Sequence, residues 1–319
     1  MTQNDGKGGR RQIAMAHLTL LHLDPPDLVS AAAAGGFDGV TIRLVPAHPQ
    51  AGEKQFPMLG HSPMMEETLH RLDDTGLHVH DIEVIRLKPE TQVSDFLPMM
   101  EAGARLRARY VIAIADDTDE SRVADNLAHV ADQASGFGLG TAFEFMFFTG
   151  VKTIQQADRV IDRTGRGDIT LLVDPIHLSR SGGTVEDVAR IDPARLSYMQ
   201  FCDASATVRP QELGGIAIEA RRHRMVPGTG ALPLEELLAT IPAGAPLTLE
   251  CPVDELLATK SDHEVARVIA RATRAMIERW AMSEIGRERI AHRRRPHPIC
   301  AHAIAWRGDF RHLIPRRQR

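Results

Sequence analysis

The feature that most constrains this chain is an alternation: a short apolar segment with the look of a strand gives way to an amphipathic segment with helical spacing, eight times over, with no long gap. Strands are expected at 13–20, 39–44, 77–85, 109–115, 139–145, 169–174, 196–202 and 246–250. Helices follow at 25–35, 63–75, 93–106, 119–136, 153–164, 184–190, 234–241 and 262–280. Uninterrupted strand-helix alternation selects a parallel sheet, and eight units is the count for a closed (β/α)8 TIM barrel. A doubly wound open sheet is the competing architecture. It usually carries a phosphate-binding glycine loop after its first strand, whereas Leu21-His22-Leu23-Asp24 contains no glycine.

The barrel occupies residues 13–282, preceded by a polar, glycine-rich stretch at 1–12 and followed by an arginine-rich extension at 283–319. That extension holds ten arginines against Glu288 and Asp309 between 287 and 319, which leaves residues 1–286 with a net charge of −12. An acidic body argues against nucleic acid as the partner, and the tail lacks the aromatic platforms that would accompany such a role. No stretch is apolar enough for a membrane span, and Cys202, Cys251 and Cys300 show no CxxC spacing. A reducing, cytoplasmic setting without disulfides is the expectation. Cys202 and Cys251 read as small buried packing residues.

In a barrel every strand opens its C-terminal end on one face, where the chemistry sits. Four apolar strands here close on a polar residue: Glu144, Asp174, Gln200 and Glu250, with His177 three residues past Asp174. Any one alone reads as a helix cap or solvated loop residue. Together they form an oxygen-rich set that suits one divalent ion, with Mn²⁺, Mg²⁺ or Co²⁺ preferred to Zn²⁺. Without a cation, three carboxylates at one point would repel or take up protons.

An ordered set of motifs carries a resemblance. Ala34-Gly35-Gly36-Phe37-Asp38-Gly39-Val40, the fifth-strand glutamate, Asp174-Pro175-Ile176-His177, Gln200-Phe201-Cys202-Asp203-Ala204, 227–234 (PGTGALPL) and Leu249-Glu250-Cys251-Pro252 span about residues 13 to 280. The chain resembles the xylose isomerase-like TIM-barrel superfamily, which includes sugar-phosphate isomerases and epimerases, inosose-metabolising enzymes, an endonuclease group and 3-dehydroshikimate dehydratases. The resemblance implies Glu144, Asp174, Gln200 and Glu250 as metal ligands. Many members have histidine where Gln200 stands, and glutamine there is similar to the dehydratase branch and some epimerases. His177 is similar to an acid/base or substrate-orienting histidine, alongside Glu144 and Glu250.

By the same resemblance Arg221 and Arg224 stand where an arginine grips a carboxylate or phosphate, with Arg222 as an alternative, and 227–230 reads as a loop that closes over the site. Arg43, His80 and Glu83 are expected to point to the mouth as substrate contacts. The implied chemistry is proton removal beside a carbonyl, with the metal ion stabilising the enediolate. Return of the proton gives an isomerase or epimerase, and loss of a β-hydroxyl gives a lyase of the 3-dehydroshikimate dehydratase type. The partner is then a small hydroxy-carbonyl molecule, and a homo-oligomer stays open. A superfamily endonuclease would need more histidines and a basic groove, and a non-catalytic binding barrel would lack the ion.

Overall fold

The computed structural model describes residues 10–47, 52–207 and 216–283. Eight strands form one sheet: β1 (Ile13–Met15), β2 (Gly39–Arg43), β3 (His78–Leu87), β4 (Tyr110–Ala115), β5 (Gly140–Glu144), β6 (Ile169–Leu172), β7 (Met199–Phe201) and β8 (Leu247–Leu249). Their order is β6-β5-β4-β3-β2-β1-β8-β7, and every ladder is parallel. Between the outer two, the Gln200 N–H donates to Val173 O at 3.1 Å. The expected (β/α)8 barrel is therefore what the chain forms, nearly closed at the β6–β7 seam.

Eleven α-helices are present among the described residues: α1 (Pro25–Gly35), α2 (Pro63–Thr75), α3 (Leu97–Arg105), α4 (Glu120–Gly136), α5 (Ile154–Arg163), α6 (Pro175–Arg180), α7 (Val185–Ala189), α8 (Ile216–Arg222), α9 (Leu234–Thr240), α10 (Asp254–Leu257) and α11 (Asp262–Met282). Their starts follow local chemistry. Asp24 accepts from Asp27 N at 3.1 Å ahead of two prolines, and Thr153 and Gln156 form a reciprocal capping box. The helices pack an apolar layer around the barrel, and a smaller cluster including Val84, Ile112, Ile114, Ala142, Leu172 and Tyr198 fills its interior. No helix among the described residues is long and apolar enough to cross a membrane. Expectations for residues 1–9 and 284–319, the basic tail included, lie outside the described residues.

Three departures from the sequence reading matter for the site. The first strand ends at Met15, not at residue 20. His17–Leu20 is a 3₁₀ turn whose Thr19 hydroxyl donates to Leu249 O and accepts from Cys251 N, docking the turn on the end of β8. Short helices α6, α8 and α10 occupy stretches between the expected elements, where no helix is expected from the sequence. Finally, β3 carries two register shifts: Val40 and Ile42 face Val79 and Ile82, while Ile82 and Ile85 face Val111 and Ala113. Each inserts one extra β3 residue and resets which side chains face inward.

The segment 227–230, expected to close over the site, is instead bolted to the barrel. Asp203 accepts from the N–H groups of Gly228 (3.0 Å), Gly230 (2.8 Å), Leu232 (3.0 Å) and Ala204 (2.8 Å). Its residues do not line the cavity described below. Removing that acceptor would leave one buried and three partly buried donors without it, so Asp203→Ala is expected to lose about 2–4 kcal/mol of stability. Urea unfolding measures this; a loss below about 0.5 kcal/mol would show that the carboxylate is not what holds the segment.

Candidate metal centre

The strand ends bring the expected residues together. Glu144 closes β5, Gln200 lies within β7, Glu250 follows β8, and Asp174 sits just past β6 as the cap of α6, accepting from Ile176 N at 2.8 Å. All four are buried. His177, on α6, places Nε2 at 3.6 Å from Glu144 Oε1. One potential ligand atom each from Glu144, Asp174 and His177 lie within 4.8 Å of one another. The amide of Gln200 turns one end to Glu144 Oε1 and Asp174 Oδ2, at 2.8 and 3.1 Å. With its NH₂ there it donates to both; turned half round, its oxygen joins the carboxylate oxygens about the same point.

The cluster is bridged by Arg224, a buried guanidinium just past α8. It donates to Asp174, to Glu250 Oε2 at 2.7 Å, to Cys202 Sγ at 3.3 Å and to Ala220 O at 2.6 Å. Burial alone would raise the Asp174 carboxyl, but Arg224, with His177 and the Ile176 amide, outweighs it and holds Asp174 below the usual range. Burial pushes Glu250 up to about 7 against the pull of the same guanidinium, with Glu83 and Asp174 adding to the rise. Glu144, desolvated and facing Glu250 and Asp174, is raised well above the ordinary value. His177 is lowered to about 4, chiefly by burial, and is neutral at pH 7. Its neighbours are the rings of Phe147 and Phe148, with centroids at 5.4 and 5.5 Å, and its Nδ1 has no hydrogen-bond partner.

The charges decide what the site accepts. Three carboxylates against one guanidinium, with neutral His177 and Gln200, leave a formal deficit of two positive charges, which one divalent ion matches. The oxygen-rich donors fit such an ion.

Above this cluster lies a cavity of about 440 Å³, within the range of small-molecule sites. Arg43 and Glu83 line it as expected, but bound to each other. Arg43 donates to Glu83 Oε2 at 2.7 Å and to Glu53 Oε1 at 2.9 Å, and Thr41 Oγ1 donates to Glu83 Oε1 at 2.5 Å. Arg221 lines the cavity over the ring of Phe148, 5.7 Å from the centroid. Arg222 also lines it, but is exposed and paired with Asp254 at 2.7 Å.

His80 is a correction. It does not reach the mouth. It lies in the floor of the barrel, 4.4 Å from the Tyr198 ring centroid and 5.7 Å from that of Tyr110, because it is the third residue of β3, whose C-terminal end forms the mouth. Sequence reasoning missed Arg86, which lines the cavity while paired with Asp116 at 2.6 Å. It also missed the buried Arg180–Glu219 pair (2.8 Å), which ties α6 to α8. Arg86 carried a usable signal, as a charge inside an apolar β3 run. Cys202 and Cys251 are buried and free, and burial raises both thiols, as expected of packing residues.

With the geometry in view, the comparisons are specific. The family model for the xylose isomerase-like TIM barrel matches residues 29–276, and the chain belongs to that family. Among curated relatives, an inosose isomerase of Halalkalibacterium halodurans is 24% identical over 159 residues, which are 47% of this chain and 54% of that protein. A 3-dehydroshikimate dehydratase of Pseudomonas aeruginosa is 26% identical over 242 residues, 70% of this chain and 36% of its own length. The chain thus spans about half the length of the inosose isomerases it matches. Among solved structures, the IOLI protein with a bound zinc atom superposes with a TM-score of 0.69 at 18% identity, covering 84% of this chain and 99% of that one. L-ribulose 3-epimerase gives 0.64 at 17% identity, covering 90% and 99%. At these identities the superpositions speak to the fold alone.

The raised carboxyls have a consequence for pH. A carboxyl whose folded value lies above its unfolded one stabilises the fold at low pH, and that contribution is lost as pH climbs from about 4.5, the ordinary glutamate value, to above about 7 for Glu250. Chelator-treated protein is expected to lose thermal stability over that window, and saturating Mn²⁺ to offset the loss increasingly as pH rises, because the ion binds deprotonated ligands. Thermal unfolding at pH 5, 6, 7 and 8 with EDTA or Mn²⁺ measures this; parallel curves would contradict it.

Proposed function

We propose that this chain is a divalent-metal-dependent isomerase or epimerase of a small polyhydroxylated carbonyl compound. The observation that carries the reading is the buried convergence of Glu144, Asp174, Gln200 and Glu250 beneath a metabolite-sized cavity, with a charge deficit that matches a dication. The ion is Mn²⁺, Mg²⁺ or Co²⁺ ahead of Zn²⁺, since oxygens supply the four ligands. When bound there, it would polarise the substrate carbonyl and acidify the adjacent C–H.

The chain's own groups supply the proton traffic. Glu250, a carboxylate at the rim of the cavity, is placed to accept a proton and return it. Glu144 stands three strands away around the barrel, so the two carboxyls reach a substrate from different sides. Removal at one and return at the other epimerises a carbon, and return to the neighbouring carbon isomerises it. His177, neutral and held between aromatic rings, can exchange a proton with a substrate oxygen. Arg221, Arg43 and Glu83 face the cavity to orient hydroxyl groups, while Leu18, Leu21, Met146 and Phe148 exclude water. The name of the curated relatives, inosose isomerase, supports this class.

A second reading, a lyase of the 3-dehydroshikimate dehydratase type, is favoured by the wall of the cavity. Burial lowers Arg221, and the nearby charges of Arg86 and Arg43 lower it further. With Arg43 held by Glu83 and Glu53 and Arg86 by Asp116, Arg221 is the guanidinium of that wall suited to the carboxylate of an acidic hydroxy-carbonyl compound. The dehydratase alignment, across 70% of this chain, supports the same reading.

Incubation with ketoses, inososes and 3-dehydroshikimate in D₂O with Mn²⁺ separates the two. Deuterium in a recovered or isomeric sugar is expected for the first reading; loss of water to an unsaturated product selects the second. Glu250→Gln is expected to lower kcat by about 10²–10⁴-fold with the fold intact, and unchanged turnover would remove Glu250 from the reaction.

A further inference from the structure

Arg224 holds an unusual position. It bonds two of the four proposed ligands, Asp174 and Glu250, and its side chain is 2% exposed. Its arm is fixed by the bond from Nε to Ala220 O in the last turn of α8. Its own backbone N–H donates to Pro252 O at 3.1 Å, just past β8. The guanidinium therefore cannot drift far from the carboxylates it bridges.

The oxygens of Asp174 are spoken for. Oδ1 accepts from Ile176 N at 2.8 Å and faces the Cys202 thiol at 3.6 Å. Oδ2 accepts from Arg224 and lies 3.1 Å from the amide of Gln200. An ion that takes Asp174 must share an oxygen already committed, and Oδ2 is the one whose partners can move. The same holds for Glu250 Oε2, at 2.7 Å from the guanidinium. A dication and a guanidinium on one carboxylate oxygen sit within about 5 Å of each other, given ordinary coordination and hydrogen-bond lengths. Their repulsion in a buried site is strong enough to change affinity by at least a factor of about ten.

We propose that Arg224 is an internal counter-cation that competes with the metal ion for Asp174 and Glu250. In the ion's absence it keeps the carboxylates assembled, and in its presence it weakens the hold on the ion. The bound ion is then exchangeable, and the guanidinium, which also lines the cavity, is released toward substrate. This rests on the metal reading of the site.

The test is Mn²⁺ affinity, read by competition with a chelator on wild type, Arg224→Met and Arg224→Lys, all purified with Mn²⁺ so that a variant needing the ion to fold still reports. Arg224→Met is expected to bind at least about tenfold tighter and, once stripped, to unfold at lower temperature than wild type. Arg224→Lys keeps the charge but loses the two-pronged geometry, so its affinity should stay within about threefold of wild type while its ion-free stability falls. Met-variant binding that is equal or weaker overturns the inference, because Arg224 would then position the ligands rather than compete for them. Wild-type protein that binds no divalent ion overturns the metal reading and this inference with it, whereas binding by wild type with no tightening in Arg224→Met overturns this inference alone.

Discussion

The interaction on which the rest of this structure depends is the ion-pair bridge from Arg224 to Asp174 and Glu250 in the mouth of the barrel. A lone buried carboxylate is costly, and three facing one another are costlier still, so the barrel can tolerate them only with compensating positive charge. Arg224 supplies one unit. The rest is met by proton uptake at Glu144 and Glu250 or by an added cation, and these alternatives are linked because each disfavours the other. Much of the surrounding framework keeps the bridge in place. The buried Arg180–Glu219 pair ties α6 to α8, the helix that delivers Arg224, and the Arg180 guanidinium also donates to Ser205 O just past β7.

Much of this was legible in the sequence, for a physical reason. A parallel strand buried on both faces is almost wholly apolar, so a polar residue at its C-terminal end stands out, and the barrel guarantees that such residues meet. Glu144, Gln200 and Glu250 are of this kind. What the sequence hid depends on register and on long-range pairing. Three residues apart, His80 and Glu83 would face opposite sides of a regular strand, yet the extra residue between Val79 and Ile82 lets both face inward, His80 among aromatic rings in the floor and Glu83 at the cavity. Arg224 was visible as a cation near the mouth, but its partner Asp174 lies fifty residues away in sequence, and no local pattern reveals that pair. The helix at Pro175–Arg180 is only six residues long, too short for periodicity to announce it.

The anchoring of 227–230 follows the same logic. Read alone, PGTG suggests a mobile flap, because glycine is conformationally permissive. One carboxylate, Asp203 just past β7, gathers the amides of Gly228 and Gly230, with that of Leu232 just beyond, and makes the segment part of the barrel rim. Permissiveness here serves close approach: a Cβ on Gly230 would collide with Asp203 and the backbone of Ala204.

Asp174 joins these threads, because it does two jobs with two oxygens. Oδ1 accepts the amide of Ile176 and so fixes the first turn of the helix that carries His177. Oδ2 faces the guanidinium of Arg224 and the amide of Gln200. Anything that pulls on Oδ2, whether Arg224 or an ion, therefore also acts on the orientation of His177 toward Glu144, one helical turn away. The spacing Asp-Pro-Ile-His is then a mechanical coupling as much as a motif. Proline at the first helical position gives up no hydrogen bond, since its missing N–H would have had no partner there. The carboxylate that precedes it serves as both cap and candidate ligand, so charge at the centre and placement of the candidate acid-base histidine are set by the same side chain.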